Sequence, residues 1–332
     1  MIFTSYILLI ALALLAPLSG LGAGDDSGAL WPILFGPVIN RSTLGDTMRG
    51  FKTVFTKAYE ATTTHSSDLA MRVDSATRQE EYRWLGAFPG LSEWLGDRAV
   101  KDLAQDGFVI KNKDFEATIA VDRNDIEDDN IGVYAPLFSQ LGENAKQHPD
   151  ELIFALLENA FTGKSFDGKA FCATNHPNGK QANWSNKGTG ALSASSYETA
   201  RQTMMSYVNE EGRPMRIMPT HVIVPPQLEK EAKDIVVADL TASGQSNVWK
   251  NSADVIVAPE LSTSPTYWFV ASLNQPTKPF ILQMRKDAQF IAMDNVDDEN
   301  VFMRKRFIYG VDYRGAAGYG LPHFVYGSTG GA

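Results

Sequence analysis

The stretch VYAPLFSQLGENAKQHPDELIFALLENAF, residues 133–161, has the strongest helical pattern in this chain. Its apolar side chains recur at the three- and four-residue spacing of one helix face: Tyr134, Leu137, Phe138, Leu141, Leu152, Ile153, Leu156, Leu157 and Phe161. His148-Pro149 interrupts this stripe, and proline is best tolerated at the first position of a helix. The stretch therefore predicts either one long kinked helix or two helices placed end to end.

The helices and strands predicted around this stretch fall into separate groups along the chain. Apolar periodicity predicts helices at 43–60, at 196–209 with Ser195 or Ser196 as N-cap, and at 227–239. Strand patterns occupy 108–110, 115–121, 221–224, 255–257 and 267–270, and antiparallel strands are predicted at 280–285, 290–293, 301–313 and 319–326. A Gly/Asn-rich loop is expected at 162–190. Because strands and helices segregate instead of alternating, the sequence favours an α+β fold over a doubly wound sheet.

Length and composition narrow the class of protein. The 332 residues predict about two domains, and 44% hydrophobic content is ample for sizeable cores. The formal net charge of −9 argues against a general nucleic-acid binder, which needs a basic surface to replace phosphate counterions. The single cysteine, Cys172, excludes an internal disulfide framework and a cysteine-based zinc site.

Residues 1–37 differ from the rest of the chain because they carry no Lys or Arg and include the apolar run Ile7–Leu15. A secretory signal or anchor is one interpretation, but a basic region before the run is missing. Pro17 and the glycines after it interrupt the run before the length of a membrane span. The alternative is a hydrophobic arm that packs on another surface, or an extension from an upstream start site. We treat the segment as an extension of unknown role and expect no membrane partner.

No motif typical of a phosphate-binding, calcium-binding or catalytic site is complete in this sequence. Gly163-Lys164-Ser165 resembles the end of a phosphate-binding loop, but Glu158 stands where that motif needs glycine. The acidic run 122–129 fits no calcium-loop register. Cys172 with His176 or His221 would be a nucleophile and base, yet no protease signature surrounds the cysteine. We therefore expect no catalytic residue, no metal site and no cofactor.

An aromatic-rich segment precedes the long helix. It contains Tyr82, Trp84, Phe88, Trp94, Phe108 and Phe115. Each of these rings has up to roughly 150–250 Å² to bury, and a two-stranded ribbon alone is marginally stable in water. If the segment projects as a long hairpin, its rings need a surface on a neighbouring subunit. If it folds back onto its own domain, they do not, and composition leaves both alternatives open.

Several motifs follow one another in a characteristic order. They are VINR at 38–41, YRWLGAFP at 82–89, EWLGDR at 93–98, VYAPLF at 133–138, HPDELIF at 148–154, DGKAF at 167–171, KPFI at 278–281 and DDENVF at 297–302. In this order over residues 38–328, the chain resembles the major head protein of Mu-like tailed bacteriophages, the gpT family. Residues 1–37 fall outside the resemblance.

The resemblance implies the Hong Kong 97-type capsid fold of tailed double-stranded DNA phages. It implies an N-terminal arm at 38–66, an extended-loop region at 67–130, a peripheral domain with a long spine helix at 131–215 and 276–328, and an axial domain at 216–275. The six aromatic residues would contact a neighbouring subunit. The implied role is that of a non-enzymatic head subunit found in the virion and assembled in the host cytoplasm.

The same resemblance implies the partners. They are further copies of the chain in pentamers and hexamers, a scaffold and maturation protease, a portal, and decoration proteins, around double-stranded DNA that is enclosed without specific binding. One alternative keeps the fold but makes the shell an encapsulin-like cellular compartment. A second alternative, from another class, is a secreted hydrolase that uses Cys172.

Overall fold

The computed structural model describes residues 41–85, 107–128, 131–179, 181–241, 243–295 and 297–331, all within one unit, Ile39–Ala332. The helices are α1 Arg41–Ala61, α2 Ser66–Leu69, α3 Arg123–Glu127, α4 Ala135–Glu158, α5 Ala194–Met205, α6 Glu229–Val236 and α7 Glu299–Arg304. The strands are β1 Ala70–Asp74, β2 Gln79–Tyr82, β3 Phe108–Lys111, β4 Lys113–Asp122, β5 His176–Asn178, β6 Gln181–Trp184, β7 Lys187–Gly188, β8 His221–Val224, β9 Asp254–Val257, β10 Trp268–Ala271, β11 Phe280–Met293, β12 Arg306–Tyr319 and β13 Val325–Ser328. Short 3₁₀ helices cover Ile131–Tyr134, Pro226–Leu228, Pro259–Thr263 and Pro322–Phe324.

The long helix is continuous. α4 runs through Pro149 without a break, so one helix forms and the two-helix alternative is wrong. Its buried face includes Phe138, Leu141, Ile153, Phe154 and Leu157. Proline lacks the N–H of one intrahelical hydrogen bond, and the packing of this apolar face outweighs that loss.

A four-stranded sheet in the order β1-β11-β12-β4 carries α1 and α4. β1 is parallel to β11, and the other pairs are antiparallel. α1 packs on α4 through the stacked rings of Phe51 and Phe138, whose centroids are 4.1 Å apart. Gly142 allows this close approach, because a Cβ atom there would lie 2.5 Å from the carbonyl oxygen of Phe55.

A five-stranded sheet in the order β7-β13-β10-β8-β9 forms a second core with α5 and α6. Two strands of this sheet lie outside residues 216–275, the range that the resemblance assigns to the axial domain. β13, implied as part of the peripheral domain, pairs antiparallel with β10. β7, also implied as peripheral, pairs in parallel with β13. Strand pairing across the chain, which no local pattern reveals, causes the difference.

Four local predictions are corrected. α5 is capped by Ser193, whose hydroxyl accepts from the Ser196 backbone N–H, and not by Ser195 or Ser196. The strands predicted at 280–285 and 290–293 are one strand, β11, and the predicted strand at 301–313 begins as α7. Lys305 ends α7 in the left-handed conformation (φ 54°), after which β12 starts. The loop predicted at 162–190 contains the hairpin β5–β6.

Candidate subunit-contact surfaces

Tyr82 lies at the end of β2, where the ribbon formed by β2 and β3 rests on the four-stranded sheet. Its hydroxyl donates a 2.9 Å hydrogen bond to Oε1 of Gln283 on β11. Gln283 Nε2 in turn donates to Oδ1 of Asn112 at 2.7 Å, and the Gln283 side chain is fully buried. Burial, with a smaller contribution from Glu80, raises the pKa of Tyr82 to about 12. The hydroxyl is therefore a fixed, protonated donor that ties the ribbon to its own sheet.

Gly318 on β12 lets the ribbon approach the sheet. A Cβ atom at this position would lie 2.3 Å from Cδ1 of Ile110, which is buried on β3. The run Gly315-Ala316-Ala317-Gly318 is the sequence signal that could have revealed this close approach, since small residues mark places where backbones meet. Neither Gln283 nor Gly318 was a candidate from the sequence.

Phe115 packs against the long helix of its own subunit. Its ring centroid is 4.5 Å from that of His148 on α4 and 4.9 Å from that of Tyr313 on β12. His148 Nδ1 and the Tyr313 hydroxyl are hydrogen-bonded to each other. Burial lowers the pKa of His148 and raises that of Tyr313. The Phe115 ring therefore has a partner surface without any second subunit.

The other candidate aromatics divide between buried and undescribed positions. Tyr82 is 5% exposed, and Trp84 and Phe108 are partly buried against the second core. For these three residues and for Phe115, the structure favours the alternative in which the segment folds back onto its own subunit. Contact with a neighbouring subunit stays a prediction, because the rings of Trp84, Phe108 and Phe115 are only partly buried within their own subunit. Phe88 and Trp94 lie outside the described residues.

Residues 41–66, the described part of the implied N-terminal arm, contact α4 of the same subunit. Asp150 on α4 accepts 2.7 Å hydrogen bonds from the backbone N–H groups of His65 and Ser66. The Asp150 side chain is buried, so these two bonds satisfy a carboxylate that would be costly to leave unpaired. Together with the α1–α4 contact, they hold residues 41–66 against α4.

Cys172 is unsuited to nucleophilic catalysis. The residue has no exposed surface, and burial raises the pKa of its thiol far above the ordinary range. His176 does not serve it as a base, because its Nδ1 lies 2.6 Å from Asp167 Oδ2 and its Nε2 lies 3.0 Å from Asn186 Oδ1. The thiol is therefore a small apolar group within the core and not a reactive site.

The acidic run at 122–128 caps a helix. Asp122 accepts from the Asn124 backbone N–H at the start of α3, and Asp125 accepts a hydrogen bond from the Tyr134 hydroxyl. Within the described ranges, no cluster of three or more His, Cys, Asp or Glu side chains could hold a metal ion. No helix among these same residues is long and apolar enough to cross a membrane.

Large exposed apolar side chains mark two surfaces. One is the segment 294–306, here called the α7 tip, where Phe302 is 84% exposed and Met303 68% exposed. The other is the loop 237–250, here called the α6 loop, where Leu240 is 58% exposed and Val248 83% exposed. We treat both segments as candidates for contact with another protein.

Solved structures define the class of this fold. The procapsid of bacteriophage JBD30 matches with a TM-score of 0.57 and 28% identity, over 87% of this chain and 76% of that chain. The JBD30 capsid matches with a TM-score of 0.52 and 26% identity, over 68% of this chain and 100% of that chain. The mature capsid of bacteriophage PhiM1, at 12% identity and a TM-score of 0.50, shares the fold over 94% of this chain and 91% of that chain. The fold is that of a tailed-phage capsid subunit of the Hong Kong 97 type.

A family model described as Mu-like prophage major head subunit gpT matches residues 44–193, 180–261 and 262–331, and the chain belongs to this family. The major capsid protein of Escherichia phage Mu is 29% identical over 284 residues, 86% of this chain and 72% of that protein. The FluMu prophage major head subunit of Haemophilus influenzae is 30% identical over 264 residues, 79% of this chain and 66% of that protein. The chain is therefore a major capsid subunit of the type that forms icosahedral phage shells, which confirms the resemblance seen in its motifs.

Proposed function

We propose that copies of this chain enclose double-stranded phage DNA in a closed shell built from pentamers and hexamers. The ordered family match over residues 44–331, on a fold similar to that of the JBD30 procapsid, carries this proposal. The net charge of −9 supports it, since a shell must hold DNA without gripping it, and attraction grows with each phosphate that a basic residue neutralises.

Within the subunit, we assign the four-stranded sheet with α4 to the peripheral domain and residues 216–275 to the axial domain. The exposed apolar side chains of the α6 loop support a position at the tip of the axial domain, where copies meet around a symmetry axis. We keep residues 38–66 as the arm and 67–130 as the extended-loop region. Contact with a neighbouring subunit is proposed for Phe88 and Trp94 and for the exposed parts of the Trp84, Phe108 and Phe115 rings, whereas Tyr82 is buried in its own subunit.

The proposed life cycle is that of a structural protein. The chain assembles in the host cytoplasm with a scaffold and protease, joins a portal, and ends in the virion without enzymatic activity. The buried thiol of Cys172 supports the absence of hydrolase chemistry. Decoration proteins are proposed by analogy, since the JBD30 capsid is decorated with minor capsid protein trimers.

Expression of the full chain, followed by negative-stain electron microscopy, tests the proposal. We expect closed shells or rings of five or six subunits, and weak DNA binding by the isolated subunit. Nuclease-protected DNA and a portal in particles from phage-producing cells would separate a phage shell from an encapsulin-like compartment, which would contain a cargo enzyme. A product that remains monomeric, or a subunit with strong salt-sensitive DNA affinity, would contradict the proposal.

A further inference from the structure

We propose that His176 and Asp167 form a buried ion pair, in which both ring nitrogens of His176 carry a proton and the carboxyl group of Asp167 carries none. Asp167 lies in the loop after α4, and His176 begins β5. The pair fastens the hairpin β5–β6 to the C-terminal segment that leads into β13. This device lies within one subunit, so it is independent of the proposed function and of every contact between copies.

The side chain of Asn186 shows which of its atoms faces His176. Asn186 is fully buried, and its Nδ2 donates at 2.8–3.0 Å to three backbone carbonyl oxygens, those of Phe171, Pro322 and Val325. Its Oδ1 accepts from the Ala173 backbone N–H at 2.8 Å. The opposite orientation would place Oδ1 against three carbonyl oxygens and Nδ2 against an N–H group, which excludes it. The atom that faces the imidazole is therefore the amide oxygen.

The number of protons on His176 follows from its two neighbours. Its Nε2 lies 3.0 Å from Asn186 Oδ1, an oxygen that can only accept, so Nε2 carries a proton. Its Nδ1 lies 2.6 Å from Oδ2 of Asp167. This second contact also needs a proton, which belongs either to Nδ1, giving an ion pair, or to the carboxyl group, giving a neutral pair.

The surroundings favour the ion pair. Oδ1 of Asp167 accepts from the Lys169 backbone N–H at 3.0 Å, which stabilises an ionised carboxylate. Burial opposes the ionisation of Asp167, but its hydrogen bonds with His176 and with the Lys169 backbone hold its pKa below the ordinary value. The indole of Trp184 stacks on the His176 ring, with centroids 4.3 Å apart and planes 18° apart. A cation over the face of a tryptophan is attracted to the ring, so this stack also favours the charged imidazole.

Two other titratable side chains beside the pair are neutral. The rings of His323 and Tyr207 pack on Trp184, with centroids 3.9 Å and 4.9 Å from that of the indole. Burial, with a smaller contribution from the charge of His176 and an opposing one from Asp167, lowers the pKa of His323 to about 3. Burial raises the pKa of Tyr207 well above its ordinary value. The charge of His176 is therefore matched by Asp167 within a neutral aromatic cluster.

Asn186 connects the pair to the C-terminal segment. Its Nδ2 bonds to Pro322 and Val325 lie on either side of His323, and its backbone carbonyl accepts from the Gly327 N–H at 2.9 Å. The side chain of His176 has no exposed surface, and that of Asp167 is 7% exposed. Removal of one member of such a pair leaves a buried charge without compensation, which is strongly destabilising. The pair therefore holds two distant parts of the chain together only while both members are present.

Nuclear magnetic resonance of the unmodified full chain, labelled with ¹⁵N and ¹³C, tests the charge state at pH 7.5. Imidazole nitrogens with and without a proton give separate signals, and His176 is assigned through its own backbone amide. We expect a proton on both ring nitrogens of His176. We expect a single ring proton on His221, whose pKa is lowered by burial. A single ring proton on His176 overturns the proposal, whichever nitrogen holds it.

Asp167→Asn keeps the shape of the side chain and removes its charge. In this variant we expect His176 to lose one ring proton. Protection of the backbone amides within 171–186 against hydrogen exchange should fall about tenfold or more, because the hairpin loses its fastening. Protection within α4 should change by less than about twofold, because local opening leaves distant elements intact.

Asp254→Asn is the matched control, because Asp254 also faces a histidine, with 3.9 Å between its Oδ2 and His221 Nε2, but its side chain is 88% exposed. It should leave both the ring protons of His221 and the hydrogen exchange within 171–186 unchanged. Unchanged exchange within 171–186 in Asp167→Asn overturns the fastening role. The resonance measurement uses the unmodified chain, so it decides the charge state even if Asp167→Asn fails to fold.

Discussion

The imidazole of His323 stacks on the indole of Trp184, with ring centroids 3.9 Å apart and planes 25° apart. His176 also stacks on Trp184, with ring centroids 4.3 Å apart. His323 comes from the 3₁₀ helix that leads into β13, and Trp184 from the small hairpin β5–β6. The contact therefore joins the C-terminal strand to the connection between α4 and α5.

This stack predicts that acid destabilises the subunit. Burial, with a smaller contribution from the charge of His176 and an opposing one from Asp167, lowers the pKa of His323 to about 3. The unfolded chain binds this proton near the ordinary histidine pKa of about 6.5. Its contribution to stability is thus fully present above that pH and is lost as pH falls toward 3, at up to about 1.4 kcal/mol per pH unit.

Urea unfolding between pH 7.5 and 4.5 measures this slope. His323→Phe keeps an aromatic ring on Trp184 and removes the titrating group, so the pH dependence should become shallower than that of the unmodified chain. His148 and His221 also have pKa values lowered by burial, so part of the slope will remain. Equal slopes for the variant and the unmodified chain would contradict the assignment.

Removal of the hydrogen bond between Tyr82 and Gln283 should lower the stability of the subunit, because this bond attaches the ribbon β2–β3 to the four-stranded sheet. Tyr82→Phe removes one donor and should cost about 0.5–1.5 kcal/mol of unfolding free energy. Gln283→Leu also removes the partner of Asn112 and leaves polar groups buried, so it should cost about 1–3 kcal/mol or more. A double-mutant cycle measured by urea unfolding should give a coupling energy, and strict additivity would show that the two side chains do not interact.

Gly318 predicts a steric effect on the same ribbon. Gly318→Ala places a methyl group against Ile110 and should destabilise the subunit by about 1–3 kcal/mol. Gly132→Ala is the matched control, because a Cβ atom there meets nothing within 4 Å. Ile110→Val removes the nearest clashing atom, so the combination with Gly318→Ala should recover part of the loss. Thermal unfolding distinguishes the four chains, and equal stability of the two alanine variants would rule out the clash.

Cys172 should behave as a core residue in every chemical test. In the native subunit, iodoacetamide should modify it only as fast as the chain opens, because the thiolate is the reacting form and burial disfavours it. Urea should make the labelling fast, and mass spectrometry reads the modified fraction. Cys172→Ala should leave shell assembly intact. Fast labelling under native conditions would instead support a reactive thiol.

The N-cap of α5 predicts a difference between two serines. Ser193→Ala removes the hydroxyl that accepts from the Ser196 backbone N–H and should cost about 1 kcal/mol. Ser195→Ala, two residues further along the same helix, should change stability by less than about 0.5 kcal/mol because its side chain is exposed. Chemical unfolding of both variants provides the comparison. A larger loss for Ser195→Ala would reverse the assignment.

The sequence alone determined the family and the elements with the strongest local patterns. The stripe at 133–161 predicted α4, and two-residue alternation predicted β4, since these patterns reflect burial on one face of one element. The order of motifs indicated the Mu-like head family, which the family match confirms. The choice among neighbouring serines for the α5 cap was wrong, because helix boundaries depend on which hydroxyl meets a free backbone N–H.

Only the tertiary structure decided which side chains fill the subunit and which remain outside. Tyr82 finds Gln283 across 201 positions of the chain, and Phe115 finds α4, so neither needs a neighbour for burial. Phe302 sits beside the buried Val301, yet its own ring faces solvent. Local patterns record the apolar character of these residues but not their partners. Partners are set by strand pairing and helix packing between distant segments, and in this chain those contacts separate the core from the exposed surface.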